Sequence, residues 1–312
     1  QAHRPGHPLD RSRPVSPRSC GLYRDIPFMA LANLSTTSQS HLLLNRTAGY
    51  NSLTNREAIM HAIILAAGRG NRLAEFNPDG RPKCLMEFGG RSLLARQLDI
   101  LFQCGVRQTT LVVGYEADQI IDHVGTLTSR PEVAFVYNPA FIKGSVLSLL
   151  AAQEIMTSGE TVLVLDADVL FHPQIMQILI ESLHQNCYLI DQDFVAGDEP
   201  VKIAIHQGQM VEFRKALPDG LDYDTLGESV GFFKFDGEIA AKIAQACSEY
   251  NMEGLLGAPH EEALRDVLLN QPSEFACEDV SGLPWLEVDF PEDVERAIKQ
   301  ILPEIRKELP DF

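Results

Sequence analysis

Residues 61–85 read HAIILAAGRGNRLAEFNPDGRPKCL. An apolar run stops at Gly68-Arg69-Gly70, and cations follow at Arg72, Arg81 and Lys83. Glycines let backbone N–H groups approach phosphate oxygens with no Cβ in the way. Flexible cations then stand where negative charge must be held. That chemistry suits a nucleoside triphosphate. It is neither of two common phosphate loops. A dinucleotide fingerprint needs a third glycine where Leu73 stands, and a Walker loop needs Gly-Lys-Ser/Thr where Pro82-Lys83-Cys84 stands.

Two groups of carboxylates are the other candidates. Asp166 and Asp168 follow the apolar run TVLVL, two residues apart, so they share a side if the strand continues. Far downstream, Trp285-Leu286-Glu287-Val288-Asp289 ends a short apolar strand, and Pro291 opens a helix. Hard divalent cations such as Mg²⁺ take such oxygens, with waters and substrate phosphates as further ligands. Capping is the competing role: an Asp at 166 or 168 for a helix near 172–184, and Asp289 for the helix opened by Pro291. Glu292 and Asp293 read as first-turn acids facing a helix dipole.

The elements that must position these groups alternate. Strand-like runs fall at 61–67, 109–114, 132–137, 161–166 and 201–205, with weaker ones at 187–191, 210–214 and 229–235. Helical periodicity falls at 91–104, 116–128, 145–157, 172–185, 237–250, 259–269 and 291–302. Regular βα alternation predicts an α/β fold, a doubly wound, mostly parallel mixed sheet covered on both faces. Ligands of such sheets bind beyond the carboxyl ends of the strands, where loop 68–83 begins.

The chain has 312 residues, 45% of them hydrophobic, and a net charge of −17. That charge disfavours nucleic acid as a partner. Apolar runs fall short of the roughly 18 residues of a membrane span. The charge is uneven: residues 1–60 hold seven arginines, no lysine and three acids, so the remainder carries about −21. Arg69, Arg72, Arg81 and Lys83 therefore form a basic spot on an acidic body, as a polyanion site would. Six scattered cysteines with no C-x-x-C pair fit a reducing cytoplasm.

Residues 1–59, rich in Pro, Ser, Arg, Asn and Thr, read as a disordered or non-native extension to a domain spanning 60–305. A tail, a transit-type leader and sequence upstream of a start at Met60 are the three readings, the last favoured.

The pattern Leu65-Ala66-Ala67-Gly68-x-Gly70-x-Arg72, then Pro82-Lys83, resembles the signature of nucleotidyltransferases. GRSLLARQLDILFQCGV, LVVGY, NPAFIKGSVLSLLAA, EPVKIAI, FRKALP and LGESVGFFKF are similar to the phosphocholine cytidylyltransferase-like branch, so the resemblance covers nearly all of 61–302. It implies a Rossmann-like nucleotidyltransferase sheet with an acceptor-binding lobe at about 187–235. It implies catalytic roles for Arg72 and Lys83, and nucleotide contacts from Leu65, Ala66, Ala67, Gly68, Gly70, Gly114, Tyr115, Ser145 and Asp166. Asp168 and Asp289 would be Mg²⁺ ligands, and Lys202, Lys215 and Glu228 acceptor contacts. Gly144-Ser145 stands where relatives often carry two asparagines, which bears on base contacts.

The implied reaction is Mg²⁺-dependent transfer of CMP from CTP to a small phosphorylated alcohol, amine or phosphonate, with release of pyrophosphate. Choline would call for an aromatic cage, for which Tyr188, Phe194 and Tyr223 of the presumed lobe are weak support. The alternatives are a sugar-1-phosphate nucleotidyltransferase using UTP or dTTP, and a catalytically silent nucleotide-binding subunit. A homo-oligomer is compatible with the sequence.

Overall fold

The computed structural model describes residues 60–73, 79–195 and 197–312. The expectations for residues 1–59 lie outside them. The described residues belong to one compact unit.

In chain order the elements are β1 (Met60–Ala66), β2 (Glu87–Phe88), β3 (Arg91–Ser92), α1 (Leu93–Gln103), β4 (Gln108–Val113), α2 (Ala117–Thr126), β5 (Glu132–Tyr137), α3 (Ser145–Ala151), α4 (Gln153–Met156), β6 (Thr161–Asp166), β7 (Val169–Phe171) and α5 (Pro173–Glu181). There follow β8 (Cys187–Asp191), β9 (Lys202–His206), β10 (Gln209–Arg214), β11 (Thr225–Phe235), α6 (Gly237–Met252), α7 (His260–Asn270), β12 (Ala276–Asp279), β13 (Trp285–Glu287), α8 (Pro291–Arg296) and α9 (Leu302–Glu308). Helical turns at Asn71–Leu73 and Lys83–Leu85 flank the loop after β1.

A nine-stranded sheet carries the fold, with the path β10-β9-β11-β6-β1-β4-β5 and β8 and β12 attached through β11. β1 pairs in parallel with β4 on one side and β6 on the other. Its neighbours on both edges and cores on both faces explain its unbroken apolar sequence. Ala62, Ile64 and Ala66 enter the core beneath α1, α2 and α5, whereas Ile63 and Ala67 enter the core beneath α3, α6 and α7. Only β10 and β11 run against the other seven strands, so the sheet is mixed and mostly parallel, as predicted.

The acceptor lobe expected at about 187–235 spans β8 to β11. β8 to β11 join the same sheet. β11 pairs with β9 through Thr225–Glu228 and with β6 through Phe232–Phe235. The periodic stretch 145–157 breaks at Ala152 into α3 and α4, and the last helix continues past 302 through a π turn, Ala297–Ile301, into α9. Short β7 and β12 went unread in the sequence because three or four residues carry too little periodicity. No helix of the described residues is long and apolar enough to cross a membrane.

Candidate active site

A cavity of about 390 Å³ opens beyond the carboxyl ends of β1 and β6. The first wall is the glycine loop: Leu65, Ala66, Ala67, Gly68 and Gly70 line it, followed by Arg72. Gly70 takes φ +64, and a Cβ there would lie 3.0 Å from the Lys83 Cβ. The turn thus needs glycine both for its backbone and for the passage of Lys83. Ser145 and Asp166 line the same cavity.

Gly114 and Tyr115 stand behind the wall and not in it. A Cβ on Gly114 would meet the Phe141 Cβ at 2.6 Å, so glycine there lets Phe141 reach the cavity. The Tyr115 N–H donates to the Ala67 carbonyl at 3.1 Å and its hydroxyl to the Gly80 carbonyl at 3.1 Å. Tyr115 therefore ties both ends of the loop after β1.

The acids converge through a two-strand ladder that the sequence spacing hides. β7 and β13 pair antiparallel, with Glu287 opposite Val169, and the Val288 N–H donates to the Asp168 carbonyl at 3.1 Å. Asp168, Glu287 and Asp289 then offer oxygens within 4.8 Å of one another. The capping roles fall to other residues. His172 Nδ1 accepts the Gln174 N–H at the start of α5. Asp293 accepts the N–H groups of Asp289 and Phe290 at 3.0 and 2.8 Å at the start of α8. Both Asp168 and Asp289 keep their carboxylates for the cavity.

Lys83 is the counter-ion. Its ammonium donates to Asp168 at 2.7 Å and to Asp289, and Arg72 donates to Asp289 at 3.3 Å. Burial opposes the Lys83 charge, yet Asp168 and Asp289 raise its pKa above the ordinary lysine value. Crowding disfavours the charged form of the neighbouring acids. Burial, then Asp168 and Glu261, push Asp166 up. Cavity solvent reaches Glu287, but packing around its carboxyl, then Asp168 and Asp289, push it up as well. Asp168 Oδ1 is buried without a hydrogen-bond partner. Three clustered carboxylates with an unspent lone pair fit a hard divalent cation.

Reading the sequence missed three contributors. Glu287 lies two residues before Asp289 and shares its side, the same spacing as Asp166 and Asp168. Lys143 precedes Gly144-Ser145 and lines the cavity. His260, buried at 3% exposure, donates its backbone N–H to the Ser145 hydroxyl at 2.8 Å and places Nε2 3.9 Å from Asp166.

A second cavity of about 250 Å³ shares Asp289 with the first and includes Glu228, Trp285 and Arg296 in its wall. Burial, then Asp191, raise Glu228 to about 7. The two expected acceptor lysines have partners within the protein. Lys202 donates to the carbonyls of Gly197, Pro200 and Lys215 at 2.6, 3.3 and 2.6 Å, and Lys215 pairs with Glu199 at 3.1 Å.

The family model described as a MobA-like NTP transferase domain matches residues 62–257. A bifunctional IPC transferase and DIPP synthase of Rubrobacter xylanophilus is 30% identical over 80% of this chain and 53% of its own. A CMP-5'-(3-aminopropyl)phosphonate synthase of Streptomyces rubellomurinus is 28% identical over 76% of this chain and 38% of its own. The chain thus spans about half the length, or less, of these relatives. The solved inositol-1-phosphate CTP transferase from T. maritima superposes with a TM-score of 0.63, at 20% identity, over 81% of this chain and 97% of that one. The fold, the glycine loop and the match over 62–257 agree: the chain belongs to the MobA-like NTP transferase domain family.

Proposed function

We propose that the chain transfers CMP from CTP to a small acceptor already bearing a phosphate or phosphonate, releasing pyrophosphate. The observation that carries this reading is the convergence of Lys83, Asp168 and Asp289, from three distant segments, on the glycine loop. CTP is favoured because the Streptomyces relative is named for a CMP product.

An acceptor phosphate oxygen is anionic at neutral pH, so the reaction needs no general base. It forms a bond to the α-phosphorus, and the bond from that phosphorus to the bridging oxygen breaks with its electron pair leaving on pyrophosphate. The protein's part is positioning and charge stabilisation. Gly68 and Gly70 admit the phosphates, and Arg72 and Lys83 hold their charge. Asp168 and Asp289, joined by Glu287, would hold Mg²⁺, which supplies positive charge against the phosphates when bound. Retention of Arg72, Lys83, Asp168 and Asp289 around one cavity favours an active enzyme over a silent subunit.

Melting the full chain with CTP, UTP, dTTP, ATP or GTP and Mg²⁺ tests the base. Ligand at 100 times its dissociation constant adds about 2.7 kcal/mol, a shift of several degrees. The largest shift is expected with CTP. A shift confined to UTP or dTTP would replace the acceptor class with sugar phosphates.

A further inference from the structure

The second cavity continues the site just described, and the inference here rests on that reading. Asp289 lines both cavities, so an acceptor whose phosphate meets the nucleotide near Asp289 has its remaining body in the second. That cavity is lined by seven acidic residues and one basic one, Arg296. Some acids are neutralised from within the protein. Asp289 meets Lys83 and Arg72, Glu199 meets Lys215 at 3.1 Å, and Asp293 meets Arg296 at 4.0 Å. Asp191 accepts only neutral donors, the Trp285 indole N–H at 2.7 Å and the Asp193 backbone N–H at 2.9 Å. Among the described residues, Asp191 and Glu228 have no counter-cation in ion-pair contact.

Asp191 and Glu228 are also register partners, directly opposite across the antiparallel β8–β11 pair. Opposed like charges on neighbouring strands destabilise a sheet. Lys202, the register partner of Glu228 on its other side, gives its ammonium to three carbonyls. A cation arriving with the acceptor would relieve the Asp191–Glu228 repulsion. A phosphorylated polyol would instead bring more negative charge to an already negative wall.

The head of that cation can be specified further. Quaternary ammonium binds aromatic faces. Three rings line this cavity: Phe290 already has the Arg72 guanidinium 4.8 Å from its centroid, Trp285 is 9% exposed, and Phe194 by itself makes no cage. Carboxylates ask for N–H donors. We propose that the second cavity selects an acceptor with a protonated primary amine, bridged between Asp191 and Glu228, and a phosphate or phosphonate directed toward Asp289.

The test compares three acceptors of matched length on the full chain with CTP and Mg²⁺: 2-aminoethyl phosphate, 2-hydroxyethyl phosphate and phosphocholine. Pyrophosphate release gives kcat/KM, and melting shifts report CTP binding separately. The amine is expected to exceed both others by about 10- to 100-fold, the factor of one charge-assisted hydrogen bond. Glu228→Gln, and independently Asp191→Asn, which keeps an acceptor for the Trp285 indole, should bring amine and hydroxyl toward parity while the CTP shift persists. Equal or better turnover of the hydroxyl or trimethyl compound, or discrimination unchanged in both folded variants, overturns the amine assignment and leaves nucleotidyl transfer standing. No CTP shift and no pyrophosphate with any acceptor overturns nucleotidyl transfer and the assignment with it.

Discussion

Replacing Lys83 with Met tests the charge balance of the site without relying on turnover. The ammonium lies between Asp168 and Asp289, and its side chain is 11% exposed against 25% and 27% for the two acids. Removing one partner of a buried pair costs about 3–5 kcal/mol. Since both acids retain some solvent, about 3 kcal/mol is expected here. A domain of this size moves roughly 2–4 °C per kcal/mol, so the variant should melt about 6–12 °C lower. The loss should grow with pH. Lys83 opposes the upward shifts of Asp166 and Glu287, so without it both keep their protons in the fold to still higher pH than in the unfolded chain, and stability falls as pH rises. Mg²⁺ alone should raise the variant's melting temperature more than the wild type's, because in the wild type Lys83 already neutralises the acids. Differential scanning fluorimetry from pH 5 to 8, with and without Mg²⁺, measures both effects. A variant melting within about 2 °C of wild type, or an identical Mg²⁺ shift in both, would refute this balance.

Other perturbations separate the site from its frame. Asp168→Asn should lower kcat/KM for pyrophosphate release by roughly 100-fold or more, as loss of one charge stabiliser does, while circular dichroism stays native. Arg265 reaches Glu212 through Nε at 2.5 Å and Nη2 at 2.8 Å, linking α7 to β10. Glu212 has a side-chain exposure of 3%, so Arg265→Met should cost about 3–5 kcal/mol in urea unfolding. Burial opposes the Glu212 charge, but its hydrogen bonds to Arg265 hold its pKa below the usual value, and this stability fades as pH falls through that lowered pKa. Glu228 has the opposite sign. Raised to about 7, it keeps its proton in the fold after the unfolded chain has released it, so it costs stability increasingly from about pH 4.5 to 7. Melting of Glu228→Gln should therefore gain on wild type across that window, and parallel curves would show that Glu228 titrates normally.

Much of this was legible because periodicity and local chemistry coincided. β1, β4 and β6 are buried parallel strands whose continuous apolar runs mark them in the sequence, and β5, a partly exposed edge strand, carries a similar run. The same holds for the glycine loop and for Asp166 and Asp168, which follow one strand directly. What stayed hidden depends on contacts between distant segments. Capping chemistry alone could not decide between Asp289 and Asp293, since either carboxylate can serve a helix opened by Pro291. The ladder between β7 and β13 decides it by turning Asp289 toward Lys83. Glu287 was within reach of the two-residue rule already used for Asp166 and Asp168. Lys202 and Lys215 are acceptor contacts by resemblance, and sequence hides their partners in the fold, the carbonyls of Gly197, Pro200 and Lys215 for the first and Glu199 for the second. His260 touches Ser145 across 115 residues, and no local pattern announces that contact.

The most direct measurement is ³¹P nuclear magnetic resonance of the full chain incubated with CTP, Mg²⁺ and 2-aminoethyl phosphate. The expected result is pyrophosphate and a CMP-linked diphosphate product appearing in equal amounts, abolished by Asp168→Asn and by chelation of the metal. Pyrophosphate without a CMP-linked product, or product formation undiminished in Asp168→Asn, would contradict nucleotidyl transfer at the site formed by Lys83, Asp168 and Asp289.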